Sequence, residues 1–254
     1  MLELRGVCRS FGGLKALNEV SFSVATGAVT ALIGPNGAGK TTLINCTTGS
    51  DRPDAGKVLL SGREITGLPA HRVAELGVAR TFQNLRLFPR LSVLDNVLCG
   101  LTVVAGRSLL GALLRPPSLR NRERRLRLQA MAALDRFGLT ALADWPVGAL
   151  AYGDRKRVEL ARAVVSEPGL LLLDEPVAGL NATETAAVGA EIRRLRAQSY
   201  TVLLVEHDME LVMSVADRVV VLDGGRCIAQ GTPDEARRNP LVLEAYLGKT
   251  SLVA

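Results

Sequence analysis

The densest chemistry in the chain lies in Gly34-Pro35-Asn36-Gly37-Ala38-Gly39-Lys40-Thr41-Thr42. The pattern Gly-x-x-x-x-Gly-Lys-Thr suits a chain of phosphates. Glycines let backbone N–H groups curl around an anion without Cβ clashes. Lys40 adds a full positive charge at the β- and γ-phosphates, and the Thr41 hydroxyl is a ligand for Mg²⁺. The same chemistry requires a buried strand before the loop and a helix after it, so that the helix points its positive dipole end at the anion. Val29–Ile33 reads as that strand and Leu43-Ile44-Asn45-Cys46 as that helix. A glycine-rich turn that only connected two elements would not need every position filled and both flanks right.

A second set of candidates closes the apolar run Leu170-Leu171-Leu172-Leu173 with Asp174-Glu175-Pro176. A carboxylate at the end of a buried strand, Asp174, can reach a metal held by Thr41. Its neighbour Glu175 can polarise an attacking water. Asp-Glu-Pro alone would equally describe an exposed acidic turn; paired with the phosphate loop, that reading loses its force.

The elements that must position these residues follow from periodicity. Leu2–Cys8 and Asn18–Val24 read as strands around the turn Ser10-Phe11-Gly12-Gly13. Lys57–Ser61 and Val78–Phe82 are further strands, and Gln83 follows the second. From Ser92 the texture turns helical: Ser92 is an N-cap with Asp95 at the capping-box position. Ser118 caps an arginine-rich helix reaching about Phe137. Arg155–Glu167 and Thr183–Gln198 are helices, and Thr201–Val205 is a strand followed by Glu206-His207-Asp208. Arg218–Leu222 and Arg226–Ala229 are strands around the Asp223-Gly224-Gly225 turn. Such alternation predicts an α/β fold with a mostly parallel central sheet, a small antiparallel β subdomain and an all-helical subdomain. The helical part is expected over 92–149, inside a core formed by 1–91 and 150–254.

With 254 residues the chain can bury a sizeable core, and its hydrophobic share of 48% is ordinary. No apolar run approaches the ~20 residues needed to span a bilayer, and the N-terminus lacks the apolar core of a signal peptide. These features predict a cytoplasmic chain. Cys8, Cys46, Cys99 and Cys227 have neither metal-ligand nor disulfide spacing and read as small core hydrophobes. The net charge of +6 is concentrated in Arg115–Arg127, with Arg120, Arg122, Arg124 and Arg125. No aromatic is interleaved there for base stacking, so a solvated helix face is expected rather than a nucleic-acid site.

Phe11, Gly34–Thr42, Gln83, Leu150-Ala151-Tyr152-Gly153-Asp154, Leu170–Glu175, Ala178-Gly179-Leu180-Asn181 and His207 stand in the order of an ABC transporter ATP-binding subunit. The resemblance covers nearly the whole chain. It implies the P-loop NTPase fold of ABC ATPases, with ATP and Mg²⁺ as ligands. Phe11 resembles the aromatic that stacks on adenine. Gly34, Asn36, Gly37, Ala38, Gly39, Lys40, Thr41 and Thr42 would bind ATP. Gln83 resembles the Q-loop residue that senses the metal together with Thr41 and Asp174. Glu175 and His207 match the general base and the switch histidine. His71, on a predicted surface helix, reads as merely solvated.

The resemblance also implies a homo- or heterodimer, in which Ala151, Tyr152, Gly153 and Asp154 act on the partner's ATP and Ala178–Asn181 crosses the interface. The usual signature is Leu-Ser-Gly-Gly-Gln. Ala151 therefore lacks a hydroxyl for the γ-phosphate, and Asp154 adds a negative charge beside it. Transmembrane permeases would meet Asn84–Leu91, with Leu87 and Phe88 as exposed apolar candidates; a loop packed on its own domain is the competing reading. A periplasmic or surface binding protein would be an indirect partner. The chain would then sit at the cytoplasmic face of the inner membrane as a peripheral subunit. The insert Arg107–Arg127, the Ala151-Tyr152-Gly153 variant and the ending Gly231 to Gly248 resemble the branch that energises branched-chain amino acid uptake. Urea or amide uptake and lipopolysaccharide export are related alternatives, and a soluble ABC ATPase acting on nucleic acid is a more distant one.

Overall fold

The computed structural model describes residues 1–101 and 117–247. Two units make up the chain: Met1–Arg80 with Gly169–Ala254, and Thr81–Pro168. The expected helical segment 92–149 lies inside the second unit, which extends past it at both ends.

The first unit carries two sheets. β1 (Leu2–Phe11), β2 (Leu14–Val24), β4 (Ala55–Leu60) and β5 (Arg63–Glu64) pair antiparallel in the order β2-β1-β4-β5. The larger sheet uses β3 (Val29–Ile33), β6 (Val78–Arg80), β7 (Leu170–Asp174), β8 (Thr201–Val205), β9 (Arg218–Asp223) and β10 (Arg226–Gly231). Its order is β10-β9-β3-β8-β7-β6. All its pairings are parallel except β9 with β10, the hairpin around Gly224-Gly225. The largely apolar character of β3, β7 and β8 follows from this: a parallel strand covered on both faces has no solvent side that calls for alternating polar residues.

α1 (Lys40–Thr48) packs Leu43 and Ile44 into one core with Leu4, Val20, Phe22, Leu32, Leu172 and Leu203. On the opposite face Ala31, Ile33, Val219 and Val221 meet Val212 of α7 (Met209–Val215), Ala236 of α8 (Pro233–Arg238) and Val242 of α9 (Pro240–Leu247). Two further helices of this unit are α2 (Ala70–Glu75) and α6 (Ala182–Ala197), the latter opened by an Asn181–Glu184 capping box.

The second unit is built from α3 (Val93–Cys99), α4 (Pro117–Arg136) and α5 (Tyr152–Val164). Ser92 caps α3 by accepting the Asp95 N–H, as its sequence position predicts. Val97, Leu134, Val158 and Ala161 are buried. Gly100 allows close helix approach, since a Cβ there would fall 2.2 Å from the Arg162 carbonyl oxygen. Most of the insert expected over Arg107–Arg127 lies outside the described residues or their side chains; of the described arginines, 124, 125 and 127 are exposed and Arg122 is half-buried.

Candidate functional site

The sheet order brings three loop starts to one edge. β3, β8 and β7 are parallel neighbours, so residues 34, 206 and 175 all leave at their carboxyl ends, where open α/β sheets place ligands. Gly34, Gly37 and Gly39 take φ of 149°, 80° and 99°. A Cβ on Gly34 would lie 2.1 Å from the Leu222 carbonyl oxygen, and one on Gly39 would lie 2.4 Å from that of Ala16. Glycine is thus required there both for conformation and for space. Gly39 caps α1 without any side-chain hydrogen bond, and the first turn holds no acid. The unfilled helix N-terminus suits an anion.

Lys40 Nζ donates to the carbonyls of Gly34 (2.7 Å) and Pro35 (3.0 Å), which holds the ammonium over the loop. Burial pulls its pKa down, and the charges of Glu175 and Asp174 push it part of the way back. Thr41 is exposed at the start of α1.

Asp174 ends β7 and its Oδ2 accepts from Arg80 Nη2 at 2.8 Å, with side chains 7% and 10% exposed. Arg80, the last residue of β6, also donates to Asn45 Oδ1 on α1 at 2.8 Å. The sequence reading missed Arg80. A cation ending an otherwise apolar strand was the available signal, but its partner depends on β6 lying beside β7.

Glu175 has a φ of +47°, and its N–H donates to the Val205 carbonyl at 2.9 Å. His207 Nδ1 lies 3.9 Å from Glu175 Oε1 and 3.8 Å from Glu206 Oε2. Glu206 was also missed. Its side chain is fully buried and accepts from the N–H groups of Val177 (3.1 Å) and His207 (3.1 Å). Burial raises its pKa, and those hydrogen bonds and the nearby His207 oppose the rise.

Phe11 ends β1 rather than sitting in the turn, and is 47% exposed. Arg9 lies over its ring at 4.6 Å and is itself held by Asp51 and Asp54. This leaves a fixed, solvent-facing aromatic suited to stacking on a base. His71 is exposed on α2, as expected. Of the cysteines, Cys46 is buried, whereas Cys8, Cys99 and Cys227 are only partly so.

Gln83 and Ala151–Asp154 belong to the second unit. The backbone at Phe82 donates to Glu159 of α5 at 3.2 Å. α5 begins at Tyr152, three residues before the expected Arg155, so Ala151 is its N-cap and has no side-chain capping bond. Tyr152, Gly153 and Asp154 therefore form the first helical turn. The charge of Asp154, expected to oppose a phosphate, is paired with Arg157. Of the expected apolar contact, Phe88 is exposed and Leu87 is half-buried.

Among the described residues no group of three or more His, Cys, Asp or Glu is arranged to hold a metal.

A phosphate loop at a parallel strand end, with an acidic pair on the neighbouring strand but one, defines a P-loop nucleoside triphosphatase. The comparisons narrow the class. Residues 17–178 match the family model described as ABC transporter, and residues 226–250 match one described as Branched-chain amino acid ATP-binding cassette transporter. The chain is 45% identical to the high-affinity branched-chain amino acid transport ATP-binding protein BraF of Pseudomonas aeruginosa, over 98% of each chain. It is 43% identical to the corresponding LivG of Escherichia coli, again over 98% of both. An ATP-binding cassette of an ABC transporter solved in its ADP conformation superposes with a TM-score of 0.85 at 32% identity, covering 98% of this chain and 99% of that one. The chain belongs to the ABC transporter family as an ATP-binding cassette. It is an ATPase.

Proposed function

We propose that this cassette energises the import of branched-chain amino acids, as a peripheral subunit on the cytoplasmic face of the cell membrane. The observation that carries the substrate is likeness over 98% of the chain to cassettes named for that transport, including the C-terminal segment 226–250. No helix among the described residues is long and apolar enough to cross a membrane, so membrane subunits must supply the path.

A docking surface for them is at hand. Phe88 is 52% exposed, with Leu91 and Trp145 also exposed. Asn96, itself buried, pins the loop beneath: it accepts the Phe88 N–H at 2.8 Å and donates to the carbonyls of Phe88 and Ser92. A rigid backbone that presents apolar side chains outward is costly in water unless a partner covers them.

In the reaction, the glycine N–H groups and Lys40 hold the β- and γ-phosphates, and Phe11 stacks on the adenine. Thr41 and Asp174 would hold Mg²⁺, which supplies charge neutralisation at the transferring phosphoryl group; the metal-sensing role of Gln83 rests on the family resemblance. Glu175 takes a proton from the attacking water, and His207 orients both. The first turn of α5 offers its N–H groups to the ATP of a second cassette, identical or related.

Reconstitution with the permeases and binding protein in vesicles tests this. ATP-dependent uptake of leucine, isoleucine or valine is expected, abolished by Glu175→Gln while ATP binding persists. Uptake of urea or amides instead, or normal hydrolysis by Glu175→Gln, would refute the substrate or the base assignment respectively.

A further inference from the structure

One carboxylate connects two loops of the first unit, 177–181 and 206–208. Glu206 follows β8 directly, and its side chain turns inward to full burial. Oε1 accepts from Val177 N at 3.1 Å. Oε2 accepts from His207 N at 3.1 Å and from Asp208 N at 3.5 Å. Val177 opens the turn closed by the Leu180 N–H on its carbonyl, which leads to the Asn181 cap of α6. Asp208 caps α7 by accepting the Leu211 N–H. Both loops are thus anchored at their far ends by helix caps and at their near ends by the same side chain.

We infer that Glu206 is a positioning residue, which fixes His207 beside Glu175 and ties it to the Val177–Asn181 segment. This rests on the reading of Glu175 and His207 as base and switch. The titratable groups facing it from the packed loops are His207, at 3.8 Å, and Glu175 beyond it. Only a carboxylate satisfies the geometry: two acceptor oxygens meet backbone donors from both loops and present no donor of their own. An amide offers one oxygen, so one loop must lose its anchor. Burial of a charge opposes folding, and the raised carboxyl pKa of Glu206 records that opposition. The residue therefore serves something other than stability.

The test is Glu206→Gln in the transporter complex, assayed for ATP hydrolysis, ATP affinity and thermal unfolding, beside His207→Ala. The expected result is a kcat lower by roughly tenfold or more, the scale of one lost charge-assisted hydrogen bond. KM for ATP should stay within about twofold, because the phosphate loop is untouched. The melting temperature should stay within a few degrees, because the lost anchor and the removed buried charge act in opposite senses. Wild-type kcat in Glu206→Gln with an inactive His207→Ala would overturn the positioning role while leaving the switch assignment standing. Normal hydrolysis by His207→Ala would overturn the switch assignment and the inference with it. A fall in kcat matched by falls in melting temperature and ATP affinity would make Glu206 a structural residue only. Should Glu206→Gln not fold, the stability expectation fails and the inference is refuted.

Discussion

Arg80→Met removes a guanidinium from a nearly closed site and leaves the methylene stem's volume in place. Arg80 and Asp174 are 10% and 7% exposed and meet at 2.8 Å. Deleting the guanidinium of such a pair takes from the carboxylate its 2.8 Å cation, at a cost of up to ~3–5 kcal/mol. The Arg80 contact to Asn45 is lost as well, which unties β6 from α1. For a chain of this size each kcal/mol moves the melting temperature by about 2–4 °C, so a fall of roughly 6–20 °C is expected by calorimetry or circular dichroism. The double variant Arg80→Met/Asp174→Asn should recover part of it, because the carboxylate that lost its guanidinium is neutral; a coupling of ~1–3 kcal/mol is the scale for residues in contact. A shift below about 2 °C, or strictly additive single effects, would show that the pair carries little stability.

Two other perturbations read separate parts of the molecule. Ala151→Ser should stabilise α5 by about 0.5–2 kcal/mol, since a hydroxyl at this uncapped N-cap can accept an N–H of the first turn; it should also raise ATPase activity, and unchanged stability and rate would mean the serine cannot reach the helix N–H groups or the phosphate. Burial pushes the Cys46 thiol up to about 11 from an ordinary 9.0. The unfolded chain therefore loses this proton first, and stability falls as pH rises from about 9 to 11, by at most ~1.4 kcal/mol per pH unit. Denaturant melts across that range should lose this slope in Cys46→Ala, and an identical slope would refute the assignment.

The sequence was most legible where one local rule acted alone. β3 and β8 match their predicted ends because an apolar run between loop residues admits few registers. The cap at Ser92 was readable for the same reason: its partner is three residues away. α5 was misplaced because Ala151 gives no capping signal and Gly153 argues against helix, yet packing of Val158 and Ala161 carries the helix back to Tyr152. Phe11 belongs to the strand, since its pairing with Leu14 closes a hairpin tighter than Ser10–Gly13 suggested. Arg80 stayed hidden because strand order, not spacing, chooses its partner, and Glu206 because its inward burial and its bond to Val177 depend on β7 lying beside β8. Nothing in residues 78–80 says that β7 will lie alongside.

Several residues that break folding rules gather at the carboxyl ends of β3, β7 and β8. Asp174 and Glu206 are carboxylates out of water, and Lys40 is a buried ammonium. Glu175 holds a left-handed φ that costs an ordinary residue about 1–2 kcal/mol. That conformation persists because its neighbours over-determine it: the Glu175 N–H is fixed to Val205, and its carbonyl accepts from Ala178. Along the same strands, toward the amino ends, Leu170, Val202 and Val29 are buried hydrophobes in regular pairing. Strand ends selected for stability alone would have no reason to bring two buried carboxylates and a buried ammonium together. Strain and buried charge concentrated beside an open phosphate loop are what a catalytic edge requires, because groups held in place before the reaction need not be reorganised during it.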